Sequence, residues 1–157
     1  MLQIEPLRWF SWDFTVGRDG QPIAELDISW WRERGELLVD GVTYTVVREG
    51  LVSSDFRMTA PDGRVVATAS KPSLLRRRFE VVSGGHTVTL QARSAWGRTM
   101  DVLLDGRSAG AITPAGVWTR RASADLPETL PRPVQVFVLW LAVLLWKRDE
   151  DHAAASA

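Results

Sequence analysis

From Leu7 to Asp125, apolar and polar residues alternate in short runs. Val42, Tyr44 and Val46 oppose Thr43, Thr45 and Val47; Phe79 and Val81 oppose Glu80; Val88 and Leu90 oppose Thr87, Thr89 and Gln91. A period of two puts successive side chains on opposite faces of a β-strand, so each run has one face to bury. Between the runs stand hairpin signals: Gly17-Arg18-Asp19-Gly20, Arg34-Gly35, Asp40-Gly41, Pro61-Asp62-Gly63, Ser83-Gly84-Gly85, Asp105-Gly106 and Pro114-Ala115-Gly116. Glycine and aspartate supply the positive φ that tight turns need. The pattern predicts strands near 8–16, 23–30, 36–39, 42–48, 55–59, 65–70, 77–82, 86–92, 99–104, 108–113 and 119–124. Regularly spaced strands with no helix between them argue for an antiparallel barrel or sandwich.

The pattern then changes. Leu126-Pro127-Glu128-Thr129-Leu130-Pro131-Arg132-Pro133 leads into Val134–Trp146, which is apolar apart from Gln135. Proline suits a first helical turn, and Lys147 with Arg148 suits the negative end of a helix dipole, so the run reads as a helix apolar on every side. Such a helix must be buried. At about 1.5 Å per residue it measures roughly 20 Å, short of a hydrocarbon core of about 30 Å. A closed barrel of about eleven strands is wide enough to hold it, and closure removes both exposed sheet edges. The expected fold is mainly β: one domain over 1–148, its core helix at 131–147, followed by a charged, then Ala-rich tail at 149–157 that is expected to fray.

Composition narrows the partners. Nineteen basic side chains balance nineteen acidic ones, so no global field draws the chain to nucleic acid or an anionic membrane, and any such attraction must be local. With no cysteine there is no disulfide framework, thiol nucleophile or palmitoyl anchor. The N-terminal residues lack a signal-peptide pattern, and a cytoplasmic location, with peripheral contact to a membrane, is the expectation.

Several stretches carry a family resemblance: Val39-Asp40-Gly41-Val42-Thr43-Tyr44, Asp55-Phe56-Arg57-Met58, Ala67-Thr68-Ala69-Ser70-Lys71-Pro72-Ser73, Arg78-Phe79-Glu80-Val81, and the last helix with its preceding Asp125. In this order they resemble the tubby C-terminal-like superfamily, in particular small bacterial LURP-one-related proteins, kin to the phospholipid scramblases. The resemblance implies a twelve-stranded barrel around a central helix, one strand more than the pattern gives, to be sought between Ala92 and Gly97 or after Leu2. It implies binding of phosphoinositide headgroups by basic residues, as in tubby proteins, or a calcium-linked role in lipid movement, as in scramblases. The scramblase likeness also implies an oxygen-rich segment before the last helix. Here that segment offers mainly Asp125 and Glu128, short of the six to eight or so oxygens calcium takes, so these two are weak candidates and no metal is expected.

Catalytic chemistry has little to build on. His86 lies beside a Gly-Gly turn and His152 in the tail, no phosphate loop is present, and the carboxylates Asp149, Glu150 and Asp151 fall in the tail. Neither an enzyme nor a cofactor is expected. The most suggestive polar feature is Lys71 with Arg76, Arg77 and Arg78 around Pro72-Ser73-Leu74-Leu75. Guanidinium forks bind phosphate oxygens bidentately, while the leucines could dip into a lipid interface. Arg120 and Arg121 form a second cluster. Of eight tryptophans, Trp9, Trp12, Trp30, Trp31, Trp140 and Trp146 fall on or near apolar stretches and are expected to fill the gap between wall and helix, except that one of Trp30 and Trp31 should face outward. The expected function is a non-enzymatic binding or scaffold module that engages phospholipid headgroups or a protein through its outer surface. The alternative is a scramblase-like protein anchored in the membrane by Val134–Trp146.

Overall fold

The computed structural model describes residues 1–8, 12–28, 34–50, 54–72, 76–116 and 119–156. Twelve strands form one sheet: β1 (Leu2–Pro6), β2 (Phe14–Arg18), β3 (Gln21–Asp27), β4 (Arg34–Val39), β5 (Val42–Glu49), β6 (Asp55–Thr59), β7 (Val65–Ser70), β8 (Arg78–Ser83), β9 (His86–Ala92), β10 (Met100–Leu104), β11 (Arg107–Pro114) and β12 (Ala122–Asp125). Each pairs antiparallel with its neighbour in sequence, and β1 closes the barrel against β12 through Leu2↔Ala124 and Ile4↔Ala122. The strand missing from the sequence pattern is therefore β1, at the second of the two places considered. Residues 8 and 12–13, expected as strand, belong to the connection between β1 and β2.

The one helix among the described residues, α1 (Arg132–Ala155), threads the barrel. No residue from Val134 to Trp146 is more than 4% exposed. The wall makes room for it with small inward side chains, Ala67 and Ala69 on β7 and Ala122 and Ala124 on β12. Arg34-Gly35, expected as a turn, lies inside β4. Gly35 faces the helix, and a Cβ there would sit 3.0 Å from Trp140, so this glycine serves close packing and not a change of chain direction. Trp140 donates its Nε1–H to the Asp27 carbonyl at 3.2 Å and meets Phe56 edge-on at 5.1 Å.

Gln135 is the one polar side chain in the apolar run. It donates to the Pro127 and Leu130 carbonyls at 3.1 and 2.9 Å and accepts from Arg18 at 3.2 Å, so its burial carries no unmet amide. The helix continues to Ala155, well beyond the expected end at 147 and through most of the expected tail. Among the described residues no helix is long and apolar enough to cross a membrane. The apolar segment Val134–Trp146 is enclosed by the strands.

The two mouths of the barrel differ. Asp19-Gly20, Asp40-Gly41, Gly84-Gly85 and Asp105-Gly106 are two-residue turns with positive φ at both positions, the geometry that continues the twist of a hairpin. They lie, with the 60–64 turn, at the mouth where the helix begins, as the Arg132–Asp40 pair at 2.7 Å shows. The strand ends that the longer connections 7–13, 28–33, 50–54, 71–77, 93–99 and 115–121 join all lie at the mouth where the helix leaves.

Candidate functional site

At the loop-bearing mouth, the connection 71–77 brings basic residues beside the connection 93–99. Arg76, Arg77 and Arg78 form one side of a groove of about 320 Å³, with Gln91, Ala92, Ser94 and Ala95 opposite. Strand pairing sets this arrangement: Arg78 lies across from Gln91, and the Arg77 carbonyl accepts from the Ala92 amide at 2.9 Å. Arg77 also pins the facing loop by donating from Nη1 to the Gly97 carbonyl at 2.8 Å. Arg78 reaches Glu80 at 2.6 Å. The Nε atoms of both Arg77 and Arg78 are buried with no hydrogen-bond partner among the described residues. The Nε of Arg18, on β2, is buried in the same way, so this state is not confined to the groove.

The end of the helix closes over the same mouth. Asp149 lies 2.6 Å from Arg77 Nη2 as an ion pair, without the alignment of a hydrogen bond, and Glu150 stands 3.5 Å from Arg120. Helical spacing explains both, since Asp149 and Glu150 sit three and four residues beyond Trp146 and share its side of the helix. Trp146 donates to the Arg98 carbonyl at 2.8 Å and lies under the Arg98 guanidinium at 5.1 Å. Trp12 stacks in turn beneath Arg120 at 4.4 Å and Lys147 at 5.5 Å.

Three cations, Lys71, Arg98 and Arg148, have lowered pKa values. Burial, then the neighbouring Arg148, lowers the pKa of Lys71, with Asp149 acting in opposition. Burial lowers Arg98, and burial together with Arg48 lowers Arg148. Burial also outweighs the pull of Arg77 and its neighbours on Asp149 and raises its carboxyl above the usual aspartate range.

The structure thus gathers Arg76, Arg77 and Arg78 in one groove and sets half-buried Lys71 near enough to feel Asp149 and Arg148. Arg120 belongs to the same mouth but is turned to Trp12 and Glu150. Arg121 is exposed, its amide donating to the Thr119 hydroxyl at 3.0 Å. Leu74 and Leu75 lie outside the described residues, as do Trp9, Trp30 and Trp31. Arg98 carries no local signal, and the sequence pattern, which ends the helix at 147, leaves Arg148, Asp149 and Glu150 out of the site. Extending its period by one turn would have found the acidic pair.

Asp125 and Glu128 are exposed, one ending β12 and the other in the helix lead-in, both near the opposite mouth. Among the described residues no three His, Cys, Asp or Glu side chains gather as a metal site. His86 also belongs to that mouth. Its Nδ1 lies 2.8 Å from Asp105, whose carboxylate accepts the Thr87 amide at 2.9 Å and is held below its usual range chiefly by that amide. A second groove, of about 380 Å³, runs along the outer face of β3 and β4 and is lined by Asp13, Glu25, Asp27 and Glu36 with Leu7 and Leu38.

Fold and site together define a class: a closed twelve-stranded barrel plugged by its own helix, with a cationic, loop-built mouth. No family model, curated protein or solved structure matches the chain.

Proposed function

We propose that the chain is a non-catalytic binding module of the tubby-like, LURP-one-related kind that takes a phosphate-bearing anion, a phospholipid headgroup, at its loop-bearing mouth. The observation that carries this reading is the groove itself, one wall of which is built from three consecutive arginines, Arg76, Arg77 and Arg78. Lys71, Arg98 and Arg148, whose pKa values burial lowers, are further basic residues at the same end of the barrel. The interior is filled by the helix, which leaves the mouths and outer faces as binding surface.

The test is a titration of the full chain with inorganic pyrophosphate as a soluble probe, followed through the arginine Nε–H resonances by NMR. The Arg77 and Arg78 signals should shift saturably. Arg76→Ala with Arg78→Gln leaves the Arg77–Gly97 hydrogen bond in place and should weaken binding about tenfold or more, from the loss of charge-assisted hydrogen bonds. Unshifted resonances, or equal affinity in the double variant, would overturn the reading.

A further inference from the structure

The formal net charge of zero conceals an axial separation. Among the described residues, the connections at the mouth where the helix leaves hold eight basic residues and one acidic one, whereas the turns, helix lead-in and helix start at the other mouth hold two basic, Arg64 and Arg132, and five acidic. The helix end adds Lys147 and Arg148 against Asp149, Glu150 and Asp151, which leaves the excess positive. The balanced composition therefore folds into a polar body with a basic face at one end. Such a body orients in the field of an anionic surface although its net charge is nil.

The same mouth presents Trp96, which is 97% exposed. This ring is not on a loose segment. The Gly97 amide donates to the Ser94 hydroxyl at 2.9 Å, Arg77 holds the Gly97 carbonyl, the Arg93 amide donates to the Thr99 carbonyl at 3.0 Å, and Trp146 holds the Arg98 carbonyl. The turn is fixed to the barrel by its ends and offers the indole to solvent at its tip. Ser94 and Ala95, the residues just before it, line the arginine groove. An exposed indole beside guanidinium groups matches the headgroup layer of a bilayer, where the ring rests among carbonyls and the cations meet phosphates. Its neighbours Ser94, Ala95 and Gly97 are small and supply no apolar rim of the kind that surrounds a protein hot spot.

We infer that the loop-bearing mouth is a docking face for an anionic phospholipid bilayer, oriented by the axial charge separation, with Trp96 as its interfacial anchor. This deepens the reading of the arginine groove as a headgroup site and rests on it for the phosphate contact. It adds the claim that the partner is a membrane surface and not a free phosphate.

The experiment is co-sedimentation of the full chain with vesicles of phosphatidylcholine containing 30% phosphatidylserine, about as anionic as a cytoplasmic leaflet, against pure phosphatidylcholine vesicles. The chain should bind the anionic vesicles, lose that binding as salt is raised, and ignore the neutral ones. Trp96→Ala, at a fully solvated position, should leave near-UV circular dichroism and pyrophosphate affinity unchanged but weaken vesicle binding about tenfold or more. Equal vesicle binding by Trp96→Ala, or no vesicle binding by the unmodified chain, would overturn the docking inference while a saturable pyrophosphate titration left the groove reading intact. Vesicle binding that fell with Trp96→Ala but not with Arg76→Ala and Arg78→Gln would uphold the anchor and remove the groove.

Discussion

The seating of the helix in the barrel can be tested by a cycle on Gly35 and Trp140. Gly35 lies in β4 opposite Val46, and a methyl group added there would stand 3.0 Å from both Cζ2 and Nε1 of Trp140 and 3.1 Å from the Asp27 carbonyl. Gly35→Ala therefore overpacks the wall against the helix and should cost about 1–3 kcal/mol. Trp140→Phe removes the Nε1–H that Asp27 accepts and leaves that carbonyl unmet, a cost of about 1–3 kcal/mol before any cavity term. The shorter phenyl ring also vacates the two atoms nearest the new methyl. In the double variant, part of the Gly35→Ala cost should disappear, giving a coupling of about 1 kcal/mol. Part should remain, because the Asp27 carbonyl is still close. The assay is equilibrium urea unfolding of the four proteins at one pH, with unchanged m-values as the check that the unfolded states compare. Additivity within about 0.5 kcal/mol would mean that Trp140 does not rest on Gly35 and that the helix sits in another register or outside the barrel.

Two further outcomes follow from the geometry. A Cβ at Gly110 would collide with the backbone carbonyl of Asp125 across the β11–β12 pairing, where no side chain can yield. Gly110→Ala should cost more than about 3 kcal/mol or abolish folding, while Gly17→Ala, whose methyl would stand 3.4 Å from the Gln21 carbonyl oxygen, should cost under about 1 kcal/mol. Equal costs in urea unfolding would refute this. Asp149 has a folded pKa above its unfolded one, so its contribution to stability is fully present below the ordinary aspartate value and is lost as pH rises through the raised value. The stability of the unmodified chain relative to Asp149→Asn should accordingly fall across that window and then level off. A difference that rises with pH, or none, in urea melts from about pH 3 to 7 would contradict the burial of this carboxyl.

Much of the architecture was legible in the chain. The period of two and the Asp-Gly signals mark the hairpins, because a closed meander buries one face of each strand and turns where φ must be positive. The apolar run Val134–Trp146 identifies the core, because a helix without a polar side must be enclosed, and this one is short for a bilayer. β1 escaped the pattern because Leu2-Gln3-Ile4-Glu5-Pro6 is brief and has no turn before it. Its buried Leu2 and Ile4 matter through pairing with β12, a partner far away in sequence. Gly35 was read as a turn because a glycine required by a distant tryptophan looks, locally, the same as one required by a bend.

The candidate site was legible only in its first part. Arg76, Arg77 and Arg78 are adjacent in the chain, and their charge alone draws notice. That their groove is completed by the 93–99 connection, that Asp149 and Glu150 reach back to Arg77 and Arg120, and that Trp96 stands exposed beside them depends on which loops share a mouth. The sequence by itself determined a net charge of zero, a sheet of hairpins and a helix that had to be buried. Only the tertiary structure decided that the charges separate along the barrel axis. Alternate connections of a closed up-and-down barrel gather at opposite ends, so residues far apart in the chain sum to a field that no local window contains.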